Sequence, residues 1–325
     1  MQRRRLGKTG WDVSEIGLGC WQLGNSFGNV EDERAHAILA EARGFDVNFW
    51  DTADVYGGGL SEQRVGAALR NSPGTIVATK TGRGDDMFKS GYVKSRVRQN
   101  IEASAKRLGV ETIDLVQTHT VPPKVMEDGE IFTWLEDFQQ EGLIRHFGAS
   151  VETVAEGLLC LRQPRLASLQ IIFSLFRQDA AEELLPAAQA ADVGIIVRLP
   201  LASGLLSGKF TKDTRFAPED HRNFNANGEA FNVGETFAGL PFEKGVEFAH
   251  EMERLNTTGW PLSHVAIRWI LDHPQVSTVI TGVTRPEQLA DNVAAAERPA
   301  LPPELTQAYG QYYRDTVRPA VRGSI

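Results

Sequence analysis

The feature that most constrains the fold is a regular alternation of two kinds of segment. Short apolar runs rich in β-branched residues alternate with longer stretches whose apolar residues follow a helical spacing, which is typical of β-α-β units and a parallel sheet. The predicted strands are Glu15–Gly19, Val47–Trp50, Thr75–Thr79, Ile113–Gln117, Ile144–Ala149, Ser168–Ile172, Gly194–Arg198 and Thr278–Thr281. The predicted helices are Asp32–Arg43, Ser61–Leu69, Ser90–Leu108, Ile131–Glu141, Val151–Arg162, Ala181–Ala191, Gly245–Asn256 and Pro286–Ala295. Because the unit repeats about eight times, the sequence favours a closed (β/α)8 TIM barrel over an open sheet.

Three segments lie outside this repeat. Arg4–Val13, with the turn sequence Lys8–Gly10 at its middle, predicts an N-terminal β-hairpin that can cover one end of the barrel. The long irregular stretch Leu199–Phe242 follows the seventh strand, and its aromatic residues favour a functional loop over a disordered insert. The C-terminal segment from Leu301 either closes over the site or packs as a final helix, and its helical spacing favours packing. Since no linker divides the sequence, we expect residues 1–325 to form a single barrel domain.

Composition excludes several classes of protein. Hydrophobic residues make up 42% and charged residues 23% of the 325 residues, and no apolar run approaches the 18 or so residues that would predict a membrane span. A net charge of -8 argues against a nucleic-acid partner. Cys20 and Cys160 are too few for a disulfide framework, and the basic first ten residues lack the apolar run of a secretory signal. We therefore expect a cytoplasmic protein whose ligand is a small molecule.

Four side chains that can transfer protons are predicted to meet at one end of the barrel. Asp51, Lys80 and His119 come at the carboxyl ends of three successive predicted strands, and Tyr56 lies in the loop after the first of these. In a parallel barrel these ends share one face, where the active site forms. A cation beside a phenol favours its ionised form, so Lys80, paired with Asp51, would tune Tyr56 as a general acid. His119 would donate a hydrogen bond to the reacting oxygen and orient it.

Any one of these residues alone is equally consistent with a purely structural role. A single lysine or histidine at a strand end is as readily a surface group with its own partners. The occurrence of all four residues at neighbouring strand ends is what favours a site. Metal binding and acyl transfer are disfavoured, because no HExxH or paired Cys/His motif occurs and neither Ser203 nor Ser207 lies in a GxSxG context. The histidines without metal-ligand spacing are His36, His146, His221, His250, His264 and His273.

Two loops late in the chain are suited to phosphate. Leu199–Phe210 is small and glycine-rich with Lys209 near its end, and Thr281–Asn292 opens a helix after the eighth predicted strand. Barrel enzymes often bind phosphate in the loops after strands seven and eight. Each loop alone is equally consistent with an ordinary turn and helix start, whereas together they favour a nucleotide site. Gly17–Gln22 lacks the last glycine of a dinucleotide fingerprint and is not used.

Six segments in order along the chain resemble the motifs of one known family, the aldo-keto reductases. They are Arg4–Gly24, Asp51–Glu62, Ala78–Lys80, Asp114–His119, Pro200–Lys209 and Val279–Asn292. The resemblance covers nearly the whole length, and it implies a (β/α)8 barrel that reduces an aldehyde or ketone with NADPH.

The resemblance also implies a role for individual residues. Tyr56 would be the proton donor, Lys80 and Asp51 its tuning pair and His119 the orienting residue. The positions that match cofactor contacts are Ser150 and Gln170 for the nicotinamide carboxamide, Leu201, Ser203, Gly204 and Lys209 for the pyrophosphate, Thr284 and Arg285 for the 2′-phosphate, Gln288 and Asn292 for the adenine, and Trp21, Arg198 and Gly282 beside them.

The chain departs from the family pattern next to the nicotinamide. Arg198 stands where many members have an aromatic residue, and a guanidinium there adds positive charge beside a ring that is cationic when oxidised. We therefore expect weaker retention of NADP⁺ than of NADPH. Val151 stands where an asparagine is frequent, and Phe173 where a tyrosine is common, so one carboxamide contact is not assigned.

Two alternatives to a free-standing reductase stay open. Some relatives keep the four residues yet act as cofactor-binding, redox-sensing subunits with slow turnover. Proteins with the same fold also act as alcohol or sugar dehydrogenases. These motifs encode neither the reaction direction nor the oligomeric state. Substrate identity is also open, and the aromatic residues considered for an apolar pocket are Trp21, Trp50, Trp134, Phe216, Phe224, Phe231 and Phe237.

Overall fold

A closed barrel of parallel strands forms the centre of the molecule. In the computed structural model, which describes residues 1–84, 87 and 91–325, the barrel strands are β3 Ile16–Gly19, β4 Phe49–Asp51, β5 Ile76–Thr81, β6 Ile113–His119, β7 Ile144–Ser150, β8 Ser168–Ile172, β9 Gly194–Arg198 and β10 Val276–Gly282. These eight strands pair in the order β10-β3-β4-β5-β6-β7-β8-β9 and close on themselves. Neighbouring strands in the sequence are neighbours in the barrel, and every pair is parallel.

Helices connect the strands and cover the outside of the barrel. They are α1 Asp32–Gly44, α2 Leu60–Leu69, α3 Lys94–Leu108, α4 Pro123–Asp128, α5 Glu130–Gln140, α6 Val154–Cys160, α7 Leu184–Ala190, α8 His221–Phe224, α9 Phe242–Leu255, α10 Leu262–Leu271, α11 Pro286–Ala296 and α12 Pro303–Tyr312. The apolar faces of the helices pack on the outward side chains of the strands in one large cluster. None of the helices among the described residues has the length and apolar character needed to cross a membrane.

The predicted (β/α)8 barrel is confirmed, and most boundaries lie within three residues of those predicted. The predicted strands Ser168–Ile172 and Gly194–Arg198 coincide with β8 and β9. The predicted start of the third helix, Ser90, lies outside the described residues, and α3 begins at Lys94. The helix α10 was not predicted, because all of its ten residues are buried and its sequence therefore lacks an amphipathic pattern.

The N-terminal hairpin covers the amino-terminal end of the barrel. Its strands, β1 Arg3–Arg5 and β2 Asp12–Ser14, pair antiparallel as the sequence predicted. Leu6 and Val13 of the hairpin are fully buried against side chains that fill the barrel interior, among them Phe49. The hairpin therefore closes the end of the barrel opposite the carboxyl ends of the strands.

The long segment after β9 and the C-terminal tail pack on each other above the carboxyl ends of the strands. We call residues 199–241 the insert; it folds into short turns and the single-turn helix α8. The C-terminal segment forms α12 as expected, and the chain then runs back towards the insert. There, Arg322 donates hydrogen bonds to the carbonyl oxygens of Gly239 and Leu240 at 2.9 and 3.1 Å.

Candidate active site

The four predicted catalytic side chains meet at the carboxyl ends of the strands. Asp51 is the last residue of β4, Lys80 lies one residue before the end of β5, and His119 is the last residue of β6. Because these strands are consecutive neighbours in the barrel, their ends converge at one edge. All three side chains are buried, with 3% exposure or less, whereas Tyr56 follows β4 in a short turn. The structure thus brings together the residues that the sequence singled out.

Glycines shape the turn that carries Tyr56. Gly57, Gly58 and Gly59 follow the tyrosine with φ angles of 61°, 61° and 95°, a left-handed conformation that costs little only for glycine. A Cβ atom on Gly57 would lie 2.6 Å from the backbone oxygen of Gly24, so the turn also packs closely on the loop after β3. The phenol is therefore held at a fixed height above the barrel.

The Lys80 ammonium is fully engaged by three acceptors. It forms a short ion pair with Asp51, donates to the backbone oxygen of Thr52 at 2.9 Å and donates to the hydroxyl oxygen of Tyr56 at 3.2 Å. An ammonium has three hydrogens to donate and no acceptor, so the Tyr56 oxygen must be the acceptor in this contact. The phenolic hydrogen is consequently free to point to another acceptor.

Asp51 is the hub of these contacts. Its second carboxylate oxygen accepts hydrogen bonds from the side-chain amides of Gln117, at 3.2 Å, and Gln170, at 2.8 Å. Gln117 lies within the motif Asp114–His119, two residues before the end of β6, but the sequence had given it no role of its own. Gln170, matched to the carboxamide site, lines the pocket and at the same time supports Asp51. These donors fix the carboxylate in the orientation that holds Lys80.

The pKa shifts of the pair keep both groups in the forms that proton donation needs. Burial raises the pKa of Tyr56, and the Lys80 charge opposes this rise without overcoming it. Burial would lower the pKa of Lys80, but the interactions with Asp51 and Tyr56 together outweigh burial and the pKa is raised. Tyr56 therefore carries its proton and Lys80 its charge at neutral pH. The sequence predicted that Lys80 lowers the pKa of Tyr56. The net direction of that prediction is wrong, because burial outweighs the lysine, which only limits the rise.

His119 is neutral in this environment. Burial, together with the charges of Arg83, Lys80 and Arg198, places its pKa well below the usual range. Its Nε2 atom lies 3.5 Å from Nη1 of Arg83, and its ring stands edge-on to Tyr56 with the centroids 5.8 Å apart. A neutral imidazole still has one N–H to donate to an oxygen between it and the phenol.

A cluster of charged residues, of which the sequence had singled out only Arg198, lies beside His119. Nη1 of Arg83 is 2.9 and 3.0 Å from the two carboxylate oxygens of Glu235. Arg198 donates to Glu152 at 2.7 Å and to the backbone oxygen of Val151 at 3.1 Å. The residues come from the loops after β5 and β7, the end of β9 and the insert. Sequence patterns did not reveal Arg83, Glu152 and Glu235, because no local motif links such distant positions.

The two carboxyl groups of this cluster titrate differently. Burial raises the pKa of Glu152 to about 8, with Arg198 opposing the rise and Glu235 adding to it. Burial would also raise the pKa of Glu235, but Arg83 and Arg198 outweigh it and lower that pKa. At neutral pH Glu235 is therefore ionised and Glu152 carries a proton.

A reaction pocket opens above these residues. Its lining includes several of the groups described so far and the predicted residues near the nicotinamide, namely Trp21, Asp51, Tyr56, Arg83, His119, Ser150, Gln170, Arg198, Glu235 and Gly282. Trp21 stacks on Tyr56 with the ring centroids 5.8 Å apart and the planes inclined by 22°. Of the other aromatic candidates, Trp50 is fully buried in the core and Phe224 is exposed on the surface.

A groove continues from the pocket towards the surface. Gln22, Leu199, Pro200 and Gly282 line both cavities, so the two are continuous. The predicted cofactor-binding residues that line the groove are Leu201, Ser203, Gly204, Lys209, Thr284, Arg285 and Gln288. Asn292 does not reach the groove, since it is buried one turn further along α11.

The groove is suited to an extended anionic ligand such as a dinucleotide. Ala202 and Ser203, with φ angles of 48° and 56°, adopt the left-handed conformation that is uncommon outside glycine and concentrated at functional sites. Lys209 and Arg285 are exposed, and within the described part of the chain neither forms an ion pair. Side-chain capping by Gln288, whose oxygen accepts from the backbone of Thr284 at 2.8 Å, orders the start of α11. The residues present therefore fit the cofactor that the resemblance implies.

A parallel barrel with a tyrosine hydrogen-bonded to a lysine at its carboxyl face, and a groove suited to an extended anion beside it, is typical of a class of nicotinamide-dependent oxidoreductases. Comparison with known proteins agrees. A family model described as the aldo/keto reductase family matches residues 15–309. The chain belongs to the aldo-keto reductase family, and the resemblance seen in its sequence is confirmed.

Individual relatives cover nearly the whole chain. YqkF, an uncharacterized oxidoreductase of Bacillus subtilis, is 31% identical over 99% of this chain and 100% of its own length. A probable voltage-gated potassium channel subunit beta of Oryza sativa is 31% identical over 94% of each chain. The solved structure of a glycerol dehydrogenase from Gluconobacter oxydans superposes with a TM-score of 0.78 at 29% identity, covering 100% of this chain and 99% of that one.

Proposed function

We propose that this protein reduces an aldehyde or ketone to an alcohol with NADPH, with Tyr56 as the proton donor. The observation that carries the proposal is the contact of Lys80 with the Tyr56 oxygen inside a pocket that is continuous with the groove. Since the lysine can only donate in that contact, the phenolic hydrogen is available to a substrate oxygen in the pocket.

The mechanism follows from the positions of these groups. Reduced nicotinamide, when bound, supplies a hydride from its C4 atom to the carbonyl carbon. As negative charge develops on the carbonyl oxygen, Tyr56 transfers its proton to that oxygen and the neutral His119 stabilises it by hydrogen bonding. Lys80, held by Asp51, then stabilises the phenolate that is left, and its charge is already in place before the reaction. In the oxidative direction the same groups act in reverse, and metabolite ratios decide which direction prevails.

The groove residues support NADPH as the cofactor. We expect Leu201, Ser203 and Gly204, with Lys209, to hold the pyrophosphate, which is supported by their lining one groove. We expect Arg285, exposed at the start of α11, to bind a 2′-phosphate, since helix starts favour anions and a guanidinium binds phosphate well.

A redox-sensing subunit is the second candidate, because one relative is named as a probable channel subunit beta. Such a protein binds the cofactor but turns over slowly. The hydrogen-bonded Tyr56, Lys80 and Asp51 are expected in both candidates. The measured turnover therefore distinguishes a reductase from a subunit. A glycerol dehydrogenase among the similar structures supports an alcohol dehydrogenase as the reverse reaction of the same site.

The proposal is tested by replacing the proton donor. Tyr56→Phe keeps the ring and its stacking on Trp21 but removes the hydroxyl, so aldehyde-dependent oxidation of NADPH is expected to fall by at least about 100-fold. NADPH binding, followed by fluorescence titration, is expected to stay within about twofold of the wild type. Tyr312→Phe, on the partly exposed face of α12, is the matched control and should retain full activity. Normal turnover by Tyr56→Phe would refute the assignment, and a wild type that binds NADPH but reduces no carbonyl would favour the subunit.

A further inference from the structure

One wall of the reaction pocket is an ion pair that the catalytic mechanism does not use. Arg83 and Glu235 both line the pocket, with Nη1 of the arginine 2.9 and 3.0 Å from the two carboxylate oxygens. The same nitrogen lies 3.5 Å from Nε2 of His119, the group proposed to orient the carbonyl oxygen. The ion pair is therefore next to the position where a substrate carbonyl would be held.

The ion pair is held in place from both sides. The Arg83 guanidinium stacks over the ring of Phe231 at 4.9 Å from its centroid. Glu235 ends the turn Val233–Glu235, which begins with the Asn232 side chain accepting a hydrogen bond from the Gly234 backbone at 2.7 Å. With only 4% of its surface exposed, Glu235 has little freedom to move away from the pocket.

The pair lies on the substrate side of the site. Arg83 follows β5, between the strands that carry Tyr56 and His119, and Glu235 is bound to it. The residues matched to the nicotinamide, Ser150 and Gln170, belong to β7 and β8 further around the barrel. A substrate that places its carbonyl between Tyr56 and His119 would therefore cover Arg83 and Glu235 with its neighbouring atoms.

The chemistry of that wall discriminates between kinds of substrate. A carboxylate can accept about four hydrogen bonds and a guanidinium can donate five, so both retain capacity beyond their mutual contact. An apolar group placed against them removes water without replacing its hydrogen bonds, which is unfavourable. An anionic group would face the ionised Glu235, whereas a hydroxyl can accept from Arg83 and donate to Glu235 at once.

We propose that Arg83 and Glu235 select carbonyl substrates that carry a hydroxyl group on the carbon next to the carbonyl. This inference rests on the proposed carbonyl reduction and adds the substrate class to it. Polar groups built to bind a substrate hydroxyl reject the analogue that lacks it, because they are otherwise left without partners.

The test compares two ketones of nearly equal size. Hydroxyacetone and butan-2-one differ by a hydroxyl in place of a methyl group, and pyruvate serves as the anionic probe. With the reduced cofactor that the wild type uses, kcat/KM is expected to be highest for hydroxyacetone. In Glu235→Gln, which keeps the side-chain volume but removes the charge, the hydroxyacetone-to-butanone ratio of kcat/KM should fall about 10- to 100-fold. Comparing ratios between proteins cancels the intrinsic reactivity of the two ketones.

A buried ion pair outside the pocket provides the control. Glu62, fully buried and 2.5 Å from Nε of Arg107, is changed to glutamine in Glu62→Gln, which should leave the ratio unchanged even if stability falls. Equal kcat/KM for the two ketones in the wild type, a ratio unaltered in Glu235→Gln, or pyruvate as the best substrate would each overturn the substrate class. None of these three results would contradict the proposed carbonyl reduction itself. The proposed function would be refuted only if the wild type reduced none of these ketones and no simple aldehyde.

Discussion

At the scale of single residues, the site is organised by how many hydrogen bonds each group can make. Lys80 uses its three hydrogens on Asp51, Thr52 and Tyr56, so its orientation is determined by the acceptors around it. Asp51 in turn is oriented by Gln117. Each charge is therefore in position before a substrate arrives, which is the condition for electrostatic stabilisation of a transition state.

The unusual Arg198 leads to a prediction about cofactor retention. Its guanidinium donates to Glu152 at 2.7 Å, but burial raises the pKa of Glu152 to about 8, so at lower pH the arginine charge is not balanced by that carboxyl group. We expect NADP⁺ to bind more weakly than NADPH at pH 6, and Arg198→Phe to reduce this difference about 5- to 10-fold. Isothermal titration with both cofactors measures the ratio of the dissociation constants.

The same residues predict how that ratio depends on pH. Below its pKa Glu152 is neutral and the Arg198 charge opposes an oxidised ring; above that pKa the ionised Glu152 offsets the charge. The preference for NADPH over NADP⁺ should therefore decrease between pH 6 and pH 9 in the wild type. Glu152→Gln cannot ionise and should show no such decrease. A ratio independent of pH in the wild type would mean that Arg198 does not lie against the nicotinamide.

The sequence identified some of these residues and could not identify others. Asp51, Lys80 and His119 were found because they end strands, and parallel strand ends converge whatever the details of packing. Arg83 and Glu235 were missed because their pairing joins positions 152 residues apart through loops. Loop geometry depends on contacts across the whole molecule, and a local pattern does not encode them.

At the scale of elements, the start of α11 and the loop after β9 together form the groove. The side-chain oxygen of Gln288 orders the start of this helix, because it accepts hydrogen bonds from the backbone N–H groups of Thr284 and Arg285 at 2.8 and 3.1 Å. These bonds leave the Arg285 side chain exposed at the helix start, towards the ligand groove. An anion there benefits from both the guanidinium and the helix terminus.

Arg285→Ala tests whether the start of α11 binds the 2′-phosphate. We expect the dissociation constant of NADPH to rise about 5- to 30-fold and that of NADH to change little, because only NADPH carries the 2′-phosphate. Lys209→Ala is the matched comparison, since its expected partner is the pyrophosphate common to both cofactors, and it should weaken both equally. An unchanged NADPH-to-NADH ratio in Arg285→Ala would place the 2′-phosphate elsewhere.

The sequence predicted the helices that are buried on one face only. The helix Pro286–Ala296 was predicted to within one residue, because its buried and exposed residues alternate with the helical period. The buried helix Leu262–Leu271 gave no such alternation and was missed. Amphipathic patterns thus predict the helices on the outside of the barrel, whereas a helix that is buried on every side has no such pattern and is not predicted.

At the scale of the whole molecule, the two ends of the chain act at opposite ends of the barrel. The N-terminal arginines are structural: Arg4 donates to Glu15 at 2.7 Å and to the backbone oxygens of Leu271 and Val276 at 2.7 and 3.0 Å, which ties the hairpin to the barrel. The C-terminal Arg322 binds the insert instead. The hairpin is thus placed to support stability and the tail to support the geometry of the groove.

This division predicts that changes at the two ends have separate effects. Leu6→Ala empties a fully buried position at the closed end, so the free energy of unfolding should fall by about 2–5 kcal/mol while the dissociation constant of NADPH stays the same. Arg322→Ala removes the bonds to Gly239 and Leu240, and the insert reaches the groove through the bond of the Phe237 backbone to Ser203 at 3.2 Å. We therefore expect Arg322→Ala to weaken NADPH binding several-fold, with about 1 kcal/mol or less lost in stability. Denaturant unfolding and fluorescence titration of both variants separate the two effects, and equal loss of NADPH affinity in Leu6→Ala would show that the two ends are coupled through the barrel.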